Sequence, residues 1–169
     1  MGFFSFFKRP PGALNSSYDN QPERRTKPRK DPHLGTRILV IDDSPTIIAA
    51  LRNMLTRQSK HIVLEALEAE TGIQMAMNDM PDIIFLDLIL PGMSGFTALR
   101  KLRQNEITRE IPIIVMSGNE AAIEEFYVQR IGADDFMKKP FSRAEVYARI
   151  ERLIGDDGSL QRLPKAVAE

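Results

Sequence analysis

The chain is 169 residues long, 43% hydrophobic and 27% charged, ordinary globular values that allow one well-cored domain plus tails and leave no room for two ordinary domains. It has no cysteine, which excludes disulfides, thiolate nucleophiles and zinc–thiolate sites, and its two histidines, His33 and His61, lie too far apart in sequence to suggest a histidine metal site or catalytic pair. The formal net charge of zero hides an asymmetry: residues 1–36 carry seven Lys or Arg against three Asp or Glu, whereas residues 37–169 carry sixteen against twenty.

Residues 1–36 are expected to be a disordered basic tail, because Pro10, Pro11, Pro22, Pro28 and Pro32 punctuate a polar stretch with no helical or alternating apolar period. The tail opens on Phe3, Phe4, Phe6 and Phe7, followed by Lys8 and Arg9, a composition suited to weak docking on an anionic membrane surface or in a groove of a partner protein. The start lacks the leading positive charge of a signal peptide, and no run approaches the ~20 apolar residues of a membrane span, so a cytoplasmic protein is expected.

From Arg37 onward, strand-length apolar runs alternate with amphipathic helical patterns. Residues 37–41 form a first strand; Ser44 and Pro45 then open a helix that places Ile47, Ile48, Leu51, Met54 and Leu55 on one face. A second strand near 61–65 precedes a helix with Ile73, Ala76, Met77 and Met80 on one side, the apolar face expected to pack on the sheet. The strand 83–87 runs into the turn Pro91-Gly92-Met93-Ser94-Gly95 and a third helix marked by Phe96, Leu99 and Leu102. Pro112 opens a fourth strand, a fourth helix spans roughly residues 119–130, and Gly132 ends it. A short fifth strand at 135–137 leads to Ser142-Arg143-Ala144-Glu145, a capping box, and a last helix with Val146, Ile150 and Leu153 inward, closed by Gly155. Residues 155–169 read as a C-terminal tail. Strands alternating with helices in this way predict an α/β fold with a parallel sheet covered on both faces.

In such a sheet the ligand site lies outside the carboxyl ends of the strands. Four of the predicted strands end on Asp42-Asp43, on Asp87, on Ser117 and on Lys138-Lys139. Three carboxylates, a hydroxyl and an ammonium in one pocket make chemical sense if the carboxylates hold a divalent cation, one of them attacks phosphorus, and the hydroxyl and lysine hold the phosphoryl oxygens. Each residue also has a plainer role: Asp42-Asp43 can cap a helix, Ser117 can end a strand, and Lys139 can pair with Asp87. Asp87 is the hardest to dismiss, because it closes an apolar central strand where an unpaired carboxylate is costly.

Residues 37–154 resemble a response-regulator receiver domain. The resemblance is carried by Leu39-Val40-Ile41-Asp42-Asp43-Ser44, by Ile83-Ile84-Phe85-Leu86-Asp87-Leu88 with the Pro91–Gly95 turn, by Ile114-Val115-Met116-Ser117-Gly118, and by Gly132-Ala133-Asp134-Asp135-Phe136 with Lys139-Pro140-Phe141. It implies a flavodoxin-like (βα)5 doubly wound parallel sheet of five strands in the order 2-1-3-4-5. It also implies that Asp87 is the phosphoacceptor and that Mg²⁺ is held by Asp43 and Asp87 directly, by Asp42 mainly through a water, and by the main-chain carbonyl of Ile89. Ser117 and Lys139 would bind phosphoryl oxygens, and Phe136 would be the mobile switch aromatic. The implied donor is a histidine-bound phosphoryl group on a partner kinase, or a small phosphodonor, and the implied output is binding of a target protein through the fourth helix, fifth strand and fifth helix; with only some fifteen residues after Leu153, no DNA-binding domain and no conventional enzymatic turnover are expected. The chain is also similar to chemosensory regulators of motility, including those of twitching. Ser117 stands where threonine is frequent, Gly118 where alanine is usual, and Ile89-Leu90 where methionines are common, and none of these removes a catalytic group. Two other readings stay open on the residues alone: a scaffold that binds partners without phosphate, and a phosphohydrolase using Asp87 as a transient nucleophile.

Overall fold

The computed structural model describes residues 35–59, 61–118, 129–155 and 158–163. Five parallel strands form one sheet: β1 (Arg37–Ile41), β2 (Ile62–Ala66), β3 (Ile83–Asp87), β4 (Ile113–Ser117) and β5 (Asp135–Lys138), in the spatial order β2-β1-β3-β4-β5. Between them run α1 (Pro45–Ser59), α2 (Ala69–Asp79) and α3 (Gly95–Gln104), and a C-terminal helix, Arg143–Arg152, follows β5. The flavodoxin-like order expected from the sequence is therefore the observed one. The predicted fourth helix lies largely outside the described residues, of which 129–131 are helical. The Phe3–Phe7 cluster also lies outside them.

The central strands β1, β3 and β4 read as continuous apolar runs because both their faces are covered. Successive side chains point to opposite faces, so each strand feeds two cores. Leu39, Ile41, Ile84, Leu86, Ile113 and Val115 join one cluster with α2 and α3, while Ile38, Val40, Ile83, Phe85, Ile114 and Met116 join the other with α1 and the C-terminal helix. In register, Ile41 lies beside Leu86, Leu86 beside Val115, and Ser117 beside Lys138. The strands thus end level with one another, and the residues that follow them share one rim.

Two expectations need correction. Met80 does not face inward: it is 64% exposed and caps α2 in the left-handed region at φ 45°. The inward face of α2 is made instead of Ala69, Gly72 and Ala76, with Ile73 only partly buried. A Cβ on Gly72 would run into the Ile41 side chain, so this helix packs close to the sheet through small residues, with Ile73 and Met75 partly buried beside them. The second correction concerns the chain after Leu153. Residues expected to be tail fold back: Ile154 bridges Leu160, Gln161 N–H donates to the Leu153 carbonyl at 2.8 Å, and Leu160 and Leu163 pack against the second core. Two leucines with apolar surface to cover account for the return.

Candidate functional site

Asp42 follows β1 and is fully buried. Both of its oxygens are engaged: Oδ1 accepts from the Ser44 N–H at 2.9 Å, and Oδ2 lies 2.7 Å from Lys139 Nζ. Ser44 does double duty, because its hydroxyl also accepts from the Ile47 N–H at 3.4 Å and so caps α1. Asp43, the next residue, is exposed. Asp87 closes β3 at 4% exposure, with Oδ2 2.8 Å from the same lysine nitrogen and Oδ1 accepting from the Ile89 N–H at 3.3 Å.

Lys139 reaches both carboxylates because β5 pairs with β4 and its own N–H donates to the Ser117 carbonyl at 2.8 Å. The Lys139–Pro140 peptide is cis. Ser117 is fully buried at the end of β4. Phe136 lies beside Val115 in the sheet and is partly buried against the α2–α3 side of the core. On the far side of Asp87, α3 starts directly under the loop: Gly95 N–H donates to the Leu88 carbonyl at 3.0 Å, and a Cβ at Gly95 would overlap the Asp87 carbonyl. Glycine is required there by close approach, and the capping of α3 by Ser94 holds the loop in place.

Asp42, Asp43, Asp87, Ile89, Ser117 and Lys139 therefore fall at this rim, Phe136 lies farther back along β5 beside Val115, and carboxylate oxygens of Asp42, Asp43 and Asp87 lie within 4.8 Å of one another. Ile89 contributes its N–H to Asp87 while its side chain is 64% exposed. What sequence reasoning missed is the main-chain part. The amides of Ser44 and Ile89 aim Asp42 and Asp87, each donating to a carboxylate two residues back, and the Asp-x-Ser spacing after a strand was the available signal for the first.

The electrostatics follow from this packing. Burial pushes the Asp87 carboxyl above its usual range, and the neighbouring Asp42 charge acts in the same direction; the hydrogen bond and charge of Lys139 and the Ile89 N–H offset part of it. Burial alone would pull Lys139 down, but its bonds to Asp42 and Asp87 outweigh that and hold it above its usual value. Three carboxylates thus face one ammonium. The donor set is all oxygen, and the cluster keeps an excess of negative charge, which suits a hard divalent cation rather than a soft one.

A family model described as the response regulator receiver domain matches residues 38–151. Protein PilH of Pseudomonas aeruginosa is 32% identical over 118 residues, 70% of this chain and 97% of PilH. Response regulator PleD of Caulobacter vibrioides is 36% identical over 120 residues, 71% of this chain but only 26% of PleD, so the chain spans about a quarter of that relative. Among solved structures, the receiver domain of a sensor histidine kinase from Pseudomonas aeruginosa, with magnesium coordinated in its active-site cleft, is 28% identical at a TM-score of 0.64, covering 70% of this chain and 96% of that one. Together with the sheet order and the acidic rim, these matches identify residues 38–151: the chain belongs to the response regulator receiver domain family.

Proposed function

We propose that this chain accepts a phosphoryl group on Asp87 from a histidine kinase and changes its binding to a target protein in response. The observation that carries the reading is the arrangement around Lys139, whose single ammonium bridges a buried Asp42 and a buried Asp87 at 2.7 and 2.8 Å. Asp42 is buried against the Ser44 amide and Lys139, Asp43 is open to solvent, and Asp87 faces the rim, so the three carboxylates stand in different surroundings. Asp43, Asp87 and the Ile89 carbonyl would hold Mg²⁺, with Asp42 acting through a water. When bound, the cation neutralises the cluster and the charge on the transferring phosphoryl group.

In the transfer, an Asp87 carboxylate oxygen forms the new bond to phosphorus as the bond to the kinase's histidine nitrogen breaks, leaving an acyl phosphate. Lys139 moves from the carboxylate to a phosphoryl oxygen as a point-charge donor. Ser117 donates its hydroxyl to a second oxygen, and the space it leaves accepts the Phe136 ring. Target binding through the surface of the fourth helix, fifth strand and fifth helix is the proposed output. PilH is matched over 97% of its own length, so a receiver without an attached output domain occurs among the relatives, which supports an output made by binding. The test is transfer from a histidine kinase carrying labelled phosphate: label should pass to the wild type in the presence of Mg²⁺ and not to Asp87→Asn. Equal labelling of the two proteins would refute the proposal.

A further inference from the structure

At the opposite end of the sheet from the acidic rim, the returning C-terminal segment is tied down by one side chain. Arg162 donates from Nε to Asp134 Oδ1 at 3.0 Å, from Nη2 to the Gly132 carbonyl at 3.1 Å and from Nη1 to the Arg109 carbonyl at 3.3 Å. Gly132 and Asp134 directly precede β5, and the helical residues 129–131 lead into Gly132. The contact therefore links the chain after the C-terminal helix to the stretch on which Phe136 follows two residues later.

Asp134 is almost completely buried and is held from two sides, its Oδ1 by Arg162. Its Oδ2 already accepts from Arg103 Nη2 at 2.6 Å and from the Ile113 N–H at 2.8 Å, and Arg103, itself 8% exposed, also holds the carbonyls of Gly132, Arg109 and Ile111. Arg162 is thus a second guanidinium on a carboxylate that is already neutralised, and it duplicates two of the carbonyl contacts. The two cations oppose each other: burial, and then the Arg162 charge against the help of Asp134, lowers Arg103 to about 10. Arg162 is more exposed than Arg103 and set beside a like charge, so of the two guanidiniums it is the more easily released.

We propose that residues 158–163 are an intramolecular latch, fastened by Arg162, that restrains the residues entering β5 while Asp87 is unphosphorylated. The inference rests on the reading of Asp87 as phosphoacceptor and of Phe136 as its switch. If phosphorylation moves the helix before β5, it must act against the Gly132 and Asp134 contacts, and by reciprocity freeing the latch must favour the phosphorylated state.

The test is amide hydrogen exchange at Gly155 and Gln161, whose N–H groups donate within the folded-back segment to Ser159 and Leu153. Full-length wild type and Arg162→Ala are compared, each with and without acetyl phosphate and Mg²⁺. In Arg162→Ala without phosphodonor, exchange at both amides should rise at least about tenfold while the amides of β3 and β4 stay protected. In the wild type the same two amides should speed up as acyl phosphate accumulates, and Arg162→Ala should accumulate acyl phosphate several-fold faster. Unchanged exchange in Arg162→Ala would overturn the latch contact itself. Acyl phosphate accumulating equally fast in both proteins, with no change at Gln161, would overturn the restraint while leaving the function of Asp87 standing. No acyl phosphate in the wild type would instead sink the reading of Asp87, and the restraint with it.

Discussion

At the scale of single residues, the site is a contest between burial and pairing. Asp87 has its folded pKa raised above the usual 3.8, so the folded state binds this proton more tightly than the unfolded chain does. The resulting stabilisation is complete below 3.8 and is lost as pH climbs through the raised value, so at neutral pH the ionised carboxylate is a burden on the metal-free protein. Asp87→Asn should therefore melt above the wild type at pH 7 in EDTA, with the gap closing as pH falls toward the ordinary carboxylate range. Melting curves across that range check it, and a variant that melts below the wild type at pH 7 would contradict the sign. Lys139 works the other way. Removing it strands Asp42, which is fully buried, and Lys139→Ala should cost on the order of 3 kcal/mol in urea unfolding with EDTA present. Mg²⁺ should return part of that loss by binding the folded cluster; a loss indifferent to Mg²⁺ would contradict the assignment of one shared pocket.

At the scale of elements, the strands were legible and one helix was misread. Continuous apolar runs at 37–41, 83–87 and 113–117 announce strands covered on both faces, and the residue that ends each run is where the chemistry sits. Helix α2 was placed correctly but turned wrongly at its end, because its inward face is set by Ala69, Gly72 and Ala76, which a hydrophobic pattern hardly registers, while Met80 is spent on a left-handed cap. Ser117, at the rim, and Phe136, on the neighbouring strand level with Val115, are the pair expected to carry the switch. In wild-type protein, phosphorylation should shift NMR signals of residues 129–131 and of the Phe136 ring. Ser117→Ala should abolish most of that shift while Asp87 still accepts phosphate. Matching shifts in the two phosphorylated proteins would remove Ser117 from the coupling.

At the scale of the whole molecule, the sequence told more about the rim than about the two ends of the chain. The convergence of Asp42, Asp43, Asp87, Ser117 and Lys139 was readable because strand ends in a parallel sheet must meet, and the register delivers them level. The return of residues 158–163 was not, because two leucines and an arginine in fifteen polar-rich residues carry no period, and the carboxylate that receives Arg162 lies 28 positions away. Among the described residues no helix is long and apolar enough to cross a membrane. The Phe3, Phe4, Phe6 and Phe7 cluster, beside Lys8 and Arg9, is proposed as a docking element for a membrane surface or a protein groove. Deleting residues 1–30 should leave folding and phosphorylation of Asp87 intact and disperse the protein from its site in the cell, as imaging of a tagged chain would show; unchanged localisation and signalling output would mark the tail as inert. The central claim is tested most directly by mapping where the phosphoryl group resides. Protein treated with acetyl phosphate and Mg²⁺ is reduced with borohydride, which converts an acyl phosphate on aspartate to homoserine, and is then digested for peptide mass spectrometry. The account predicts homoserine at position 87 alone, in an amount that depends on Mg²⁺; no conversion at 87, or conversion at another aspartate, would contradict it.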